Sequence, residues 1–268
     1  MLKQRVITAV WLAPLVLIGL FGLQGASFAL FTALFMLVGA WEWTNLAGVR
    51  QPFKRAALVA GCAALMLVMW FTHAVLAVWP LWLAAAGWLV NFVWVTRYPA
   101  LTSQWHTPLV RLLMGLWVLL PCWVGFNLLR EIGALWLLFV LLLVWTADIG
   151  AYFAGRRWGK RKLAPRVSPG KSWEGVFGGM AATALLAVGF SLGLSLGLAN
   201  SVLLVVITLL VTLVSVLGDL LESMLKRYRN IKDSSQLLPG HGGVLDRVDS
   251  LTAAIPLFAL LYLQVLGL

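Results

Sequence analysis

Charge is what this chain has least of. Asp, Glu, Lys and Arg make up 11% of its 268 residues, against about 25% in soluble domains. Hydrophobic residues make up 62%, and the mean hydropathy is +0.96. A water-soluble fold of this length cannot hide so much apolar surface. A soluble enzyme or binding module is therefore excluded, and the chain reads as a single integral membrane domain over 1–268. Cysteine is nearly absent too. Cys62 and Cys122 each lie in an apolar run, with no Cys or His nearby at metal-ligand spacing, and read as buried spectator thiols. There is no long disordered tail, low-complexity tract or short-period repeat. No aromatic-interleaved basic stripe lies outside the membrane-flanking loops, so the net charge of +11 points to anionic lipid rather than nucleic acid.

What remains is a series of apolar segments of membrane-crossing length, which needs about 20 residues each. Nine are expected: 6–23, 25–41, 56–72, 75–95, 109–128, 133–152, 175–198, 201–222 and 250–268. The first follows Lys3 and Arg5 like a signal peptide, but its length and the absence of a small-residue cleavage site make it an uncleaved span. Alternating the loops puts 19 of the 20 basic residues on one side and only Arg130 on the other. One missed span would scramble that split. The positive-inside rule then makes the basic side cytosolic, with the N-terminus inside and the C-terminus outside. The expected fold is an all-α polytopic bundle. Residues 1–140 supply mainly spans, and 141–268 carry two polar cytosolic loops, 153–174 and 223–249.

Mid-bilayer acids, the usual mark of an ion path, are missing as well. Of nine acidic residues, seven lie in the last 121 positions, at or beyond the cytosolic ends of the last four spans: Asp148, Glu174, Asp219, Glu222, Asp233, Asp246 and Asp249. That boundary is where a site could meet a lipid headgroup on one side and a soluble molecule on the other. Asp219 and Glu222 are three apart near one helix end, and Asp246 and Asp249 are three apart at the start of the next span. Two such pairs could supply oxygen ligands to Mg²⁺, which typically takes one or two carboxylates plus substrate phosphates and water. Capping of the last helix, with Asp246 as Ncap, is the plainer alternative for the second pair.

Lys226, Arg227, Lys232 and Arg247 are interleaved with these acids, as a bound nucleoside triphosphate requires. A juxtamembrane lipid anchor explains Lys226, Arg227 and Arg229 equally well. Gly240-His241-Gly242-Gly243 after Pro239 would let backbone N–H groups approach an anion. His73 and His106 read as ordinary loop or span-end residues. The other loop offers Asp148, Ser168, Lys171, Ser172 and Glu174. Ser172 could equally cap the following span. A P-loop is rejected there, because Pro165 stands where its first glycine belongs and no strand precedes it.

Residues 223–249, SMLKRYRNIKDSSQLLPGHGGVLDRVD, resemble the signature of the phosphatidate cytidylyltransferases, also called CDP-diacylglycerol synthases. Ser223, Leu225, Lys226, Arg227, Lys232, Asp233, His241, Gly242, Gly243, Val244, Asp246, Arg247, Val248 and Asp249 all fit. The Asp148-Ile-Gly-Ala-Tyr and SPGKSWEG segments are similar to the family's second polar segment. Gly170 and Ser172 stand where Lys and Thr are common, so the hydroxyl carries over and the charge does not. The resemblance covers about 145–268; residues 1–140 match only as apolar spans.

The resemblance implies conversion of CTP and phosphatidate to CDP-diacylglycerol and pyrophosphate. It implies Mg²⁺ dependence, with a second, monovalent ion left open, in a homodimer of the bacterial inner membrane. Asp219 and Asp246 would bind metal, with Asp249 as a further ligand or its support. Lys226, Arg227, Lys232, Arg247 and His241 would face the phosphates. Asp148, Ser168, Lys171, Ser172, Glu174, Ser223, Gly242 and Gly243 would complete the pocket. A transporter is the rival reading, but the charges cluster at one face rather than the midplane, and no repeated halves are visible. A CDP-alcohol phosphotransferase or a prenyltransferase would need multi-Asp runs that are absent.

Overall fold

The computed structural model describes residues 2–267, without the side chains at 2–9, 12 and 13. Lys3 and Arg5, counted on the basic side, thus lie outside the described side chains. Ten helices follow in order: α1 (Leu2–Gly22), α2 (Gly25–Leu46), α3 (Pro52–Phe71), α4 (Trp79–Thr96), the short α5 (Thr102–Trp105), α6 (Pro108–Ile132), α7 (Ala134–Trp158), α8 (Trp173–Gly193), α9 (Leu198–Tyr228) and α10 (Leu245–Leu261). A π-helical turn, Tyr262–Leu266, extends α10. Among the described residues, eight helices are long and apolar enough to cross a membrane. They correspond to spans two to nine of the sequence reading, and the 21-residue α1 covers the first.

The helix ends follow local chemistry. Pro52, Pro80 and Pro108 stand in the first turns of α3, α4 and α6, where a missing N–H costs nothing. Ser172 caps α8 by accepting from the Gly175 N–H at 3.2 Å, the plainer of its two expected roles.

Hydropathy located the spans but not the helix ends on the basic face. There α2 runs to Leu46, α7 to Trp158 and α9 to Tyr228, each several residues past its apolar run. At 31 residues, α9 is about 46 Å long, well over a hydrocarbon core of about 30 Å. Asp219, Glu222 and Lys226 therefore ride on a rigid helix. The 153–174 segment is not all loop either. After α7 ends, β1 (Lys162–Ala164) and β2 (Ser168–Ser172) pair antiparallel, with Lys162 opposite Ser172.

α10 lies at the centre of the bundle. Ala253, Ala254, Ile255, Phe258 and Ala259 are wholly buried. Its first turns lie tight against α9 at Gly218. A β-carbon there would come within 2.5 Å of the Asp249 carbonyl oxygen and 3.0 Å of Ser250 Cα. Only glycine permits this approach, and it sets Asp219 beside Asp249.

Candidate active site

Two groups of charged residues meet at the basic ends of α7, α9 and α10. In the first, hairpin residue Lys171 reaches across to Asp219, Nζ to Oδ2 2.6 Å. Asp219 also accepts from Ser223 Oγ at 3.1 Å, one helical turn on. Asp148 on α7 feels the charges of Lys171, Asp219 and Arg247. Asp249 feels Asp219, Lys171 and Lys226, and its Oδ1 accepts the Ser250 N–H at 2.7 Å.

The second group is built around Asp246, whose side chain is 5% exposed. Its Oδ1 accepts from Lys226 Nζ at 2.7 Å. Its Oδ2 accepts from the Ser234 N–H and Oγ, each at 2.9 Å, and from the Gly243 N–H at 2.8 Å. Lys226 also lies 3.5 Å from Glu222, a buried carboxylate whose oxygens have no hydrogen bond among the described residues. Asp246 is not the Ncap of α10. Val244 holds that position and offers no side-chain cap.

Glu42 on α2 takes over that task. It is 1% exposed. One oxygen accepts the Val244 N–H at 3.0 Å and Ser235 Oγ at 2.5 Å. The other accepts the Leu245 N–H at 2.6 Å and Ser234 Oγ at 3.2 Å. The sequence reading missed Glu42 because it ended the second span at 41 and treated the first half as span material. The available signal was an isolated acid at a helix end, between Trp41 and Trp43, far from the other acids.

The glycines of the 240–243 turn also have a specific use. Gly242 sits at φ +82°, and a β-carbon on it would meet Asp246 Oδ2 at 2.8 Å. A β-carbon on Gly243 would collide with Ser234 Oγ and come within 2.6 Å of Glu42 Oε1. In this structure the glycines admit the chain's own carboxylates.

Other expected residues lie further out. Arg227 Nε donates to the Val167 carbonyl at 3.1 Å and ties the hairpin to α9. Half-buried Glu174 accepts the Lys160 and Arg161 N–H groups at 3.1 and 3.2 Å, closing the loop before β1. Lys232 is exposed, and Ser168 lies half-buried at the start of β2. His241 is half-buried, and its Nδ1 is buried without a hydrogen bond. Among the described residues, no group of three or more His, Cys, Asp or Glu stands ready to hold a metal ion.

Two chambers open beside the charged groups. The first, about 310 Å³, is walled by apolar residues of α1, α2, α6 and α7, among them Leu20, Phe31, Phe35, Phe126 and Leu141. Its polar end carries Asp148, Asp246, Arg247 and Asp249. The second, about 220 Å³, lies between α7, β2, α8 and α9, with Lys171, Ser172, Thr212 and several glycines in its wall. Asp148 lines both. A third cavity, about 470 Å³ between α2, α3 and α6, is apolar and holds none of the expected residues.

A polytopic helical bundle with a mixed-charge centre at one face, adjoining an apolar chamber, has the layout of a membrane-embedded enzyme acting on lipid. The sequence model described as "Cytidylyltransferase family" matches residues 3–265, and the chain belongs to that family. It is 53% identical over 263 residues to the phosphatidate cytidylyltransferase of Pseudomonas aeruginosa, covering 97% of each chain. It is 41% identical to the Haemophilus influenzae phosphatidate cytidylyltransferase, covering 99% of this chain and 100% of the other. The Brucella suis enzyme of the same name is 37% identical over 98% of this chain and 92% of its own.

Proposed function

We propose that this chain transfers the cytidylyl group of CTP to phosphatidate, forming CDP-diacylglycerol and releasing pyrophosphate. The observation that carries this reading is Asp148, the residue common to the apolar and the polar chamber. The first chamber takes acyl chain along its aromatic wall and the phosphatidate phosphate at its Arg247 end. The second takes the CTP phosphates beside Lys171. Each polyanion thus has its own cation, and the two meet at Asp148.

The nucleophile is a phosphate oxygen of phosphatidate. A phosphate monoester has its second pKa at about 6, so no strong base is needed to expose it. It bonds to the α-phosphorus of CTP as the bond to pyrophosphate breaks. The barrier lies in bringing two polyanions together in line, so positioning and charge neutralisation carry the catalysis. Lys171 and Arg247 do the neutralising, Lys226 holds Asp246 in place, and Arg227 holds the hairpin that presents Lys171.

Mg²⁺ fits this donor set at Asp219 and Asp249. Gly218 brings their helices together, and among the described residues Asp219 accepts only from Ser223 and Lys171. A pair of carboxylates suffices for Mg²⁺, whose remaining ligands are phosphates and water. Asp246, the other expected ligand, commits both oxygens to Lys226, Ser234 and Gly243. When bound, the ion would offset phosphate charge as a Lewis acid. The same reading puts the chain in the bacterial cytoplasmic membrane as a homodimer, with the basic face inward.

Purified protein incubated with labelled CTP, phosphatidate and Mg²⁺ should move label into the organic phase with release of pyrophosphate. Absence of lipid-borne label under saturating substrates would refute the reading. Uptake of a solute into vesicles without CTP consumption would favour a transporter instead.

A further inference from the structure

The buried carboxylate of Glu42 is an anion seated at the start of a helix, where unpaired N–H groups and the helix dipole favour it. That helix is α10, more than 200 residues away. Each oxygen accepts one backbone N–H, Ser235 Oγ donates to one of them, and the single proton of Ser234 Oγ lies within reach of the other; among the described residues no cation lies within ion-pair distance. The two N–H groups belong to the residues immediately before Asp246. One of the hydroxyls, Ser234 Oγ, is shared with Asp246 itself. One turn further along α2, Asn45 Nδ2 donates to the Ser234 carbonyl at 3.2 Å, and the Asn45 carbonyl accepts from Arg229 Nε at 3.1 Å. The last turns of α2 therefore grip the 229–245 segment at its start, its middle and its end.

α2 is itself firmly held. Trp43 Nε1 donates to the Arg111 carbonyl on α6 at 2.7 Å, and Trp123 Nε1 on α6 donates to the Ala29 carbonyl at 3.0 Å. A rigid helix reaching a loop through a buried, hydrogen-bonded group is how a site is held to sub-ångström tolerance.

We infer that Glu42 is a positioning residue for the transferase: through the Val244 and Leu245 amides it sets the start of α10, and so the register of Asp246, Arg247 and Asp249. This rests on the reading of those residues as the active site. It gives the first half of the chain a part in the chemistry besides crossing the membrane.

The test compares Glu42→Gln with Trp94→Phe in detergent-purified protein. Trp94→Phe removes the hydrogen bond of a buried indole, donated by Nε1 to Gln104 Oε1 at 2.8 Å, far from α2 and the 229–245 segment in sequence and, among the described residues, in no hydrogen bond with Glu42. Glu42→Gln should lower kcat at least about tenfold while KM for CTP and for phosphatidate stays within about threefold. Amide exchange should speed up at 233–246 and not in α7 or α8. Trp94→Phe should lower Tm and leave kcat unchanged. The inference is overturned if Glu42→Gln keeps wild-type kcat. It is equally overturned if kcat falls in both variants in step with Tm, or if exchange rises uniformly. Should Glu42→Gln fail to fold, Ser235→Ala, which removes one donor, must show an intermediate fall in kcat; wild-type kcat there also overturns it. An inactive wild-type protein would instead sink the transferase reading, and the exchange result would still report on the anchor.

Discussion

Lys171 and Asp219 meet across 2.6 Å, one carried by a two-stranded hairpin and the other by the extended end of α9. Their side chains are 26% and 29% exposed. An ion pair so open to water contributes at most about 1 kcal/mol to stability. Its weakness as a brace suits a group that must exchange partners when a triphosphate arrives. Lys171→Met should therefore move Tm by little while cutting kcat/KM for CTP by about 100-fold, as expected for a lost charge-assisted phosphate contact. Thermal unfolding and initial rates on one preparation separate the two effects; a large Tm loss with near-normal rates would make Lys171 a structural residue.

Asp246 and Asp249 lie one turn apart and should behave differently. Asp246→Asn disturbs four hydrogen bonds, one of them to Lys226, which a neutral amide can only partly replace. It should destabilise the protein by about 1–3 kcal/mol as well as reduce turnover. Asp249→Asn should abolish turnover with little change in Tm. Equal stability losses in the two variants would refute the division.

Gly218→Ala tests the contact that brings α9 to α10. The new methyl would lie 2.5 Å from the Asp249 carbonyl oxygen, a backbone atom with nowhere to go. Overpacking of this kind costs about 1–3 kcal/mol, and it should separate Asp219 from Asp249. A fall in both Tm and kcat is expected. Wild-type activity would show that the two carboxylates need not be close.

The apolar chamber is tested at Thr32, whose hydroxyl is already turned back to the Phe28 and Ala29 carbonyls of its own helix. Thr32→Phe should fill part of the chamber. KM for long-chain phosphatidate should rise about tenfold, as for about one methylene's worth of lost contact. KM for CTP should not move, and a short-chain phosphatidate should be less affected. An equal effect on both substrates would argue against an acyl-chain slot.

Much of this molecule is readable along the chain because it is set by local quantities. Hydropathy over a span-length window located spans two to nine of the bundle. The 223–249 run carried the family resemblance, since its polar residues lie close together in sequence. Ser172 as a helix cap was equally accessible, being a three-residue relationship.

Which polar group meets which was decided only by the packed bundle. Glu42 and Leu245 are 203 positions apart, and nothing local in either segment marks the other. Asp246 reads in sequence as a metal ligand or a cap; the packed bundle gives the Ncap to Val244, brings four donors around the Asp246 carboxylate, and sets two of the chain's own carboxylates against the 240–243 glycines. The reason is physical. Transfer of apolar residues into a bilayer depends on each segment's own composition, so it can be read one window at a time. Satisfying a buried charge depends on the few donors that three-dimensional packing brings within about 3 Å, and that is a property of the folded molecule alone.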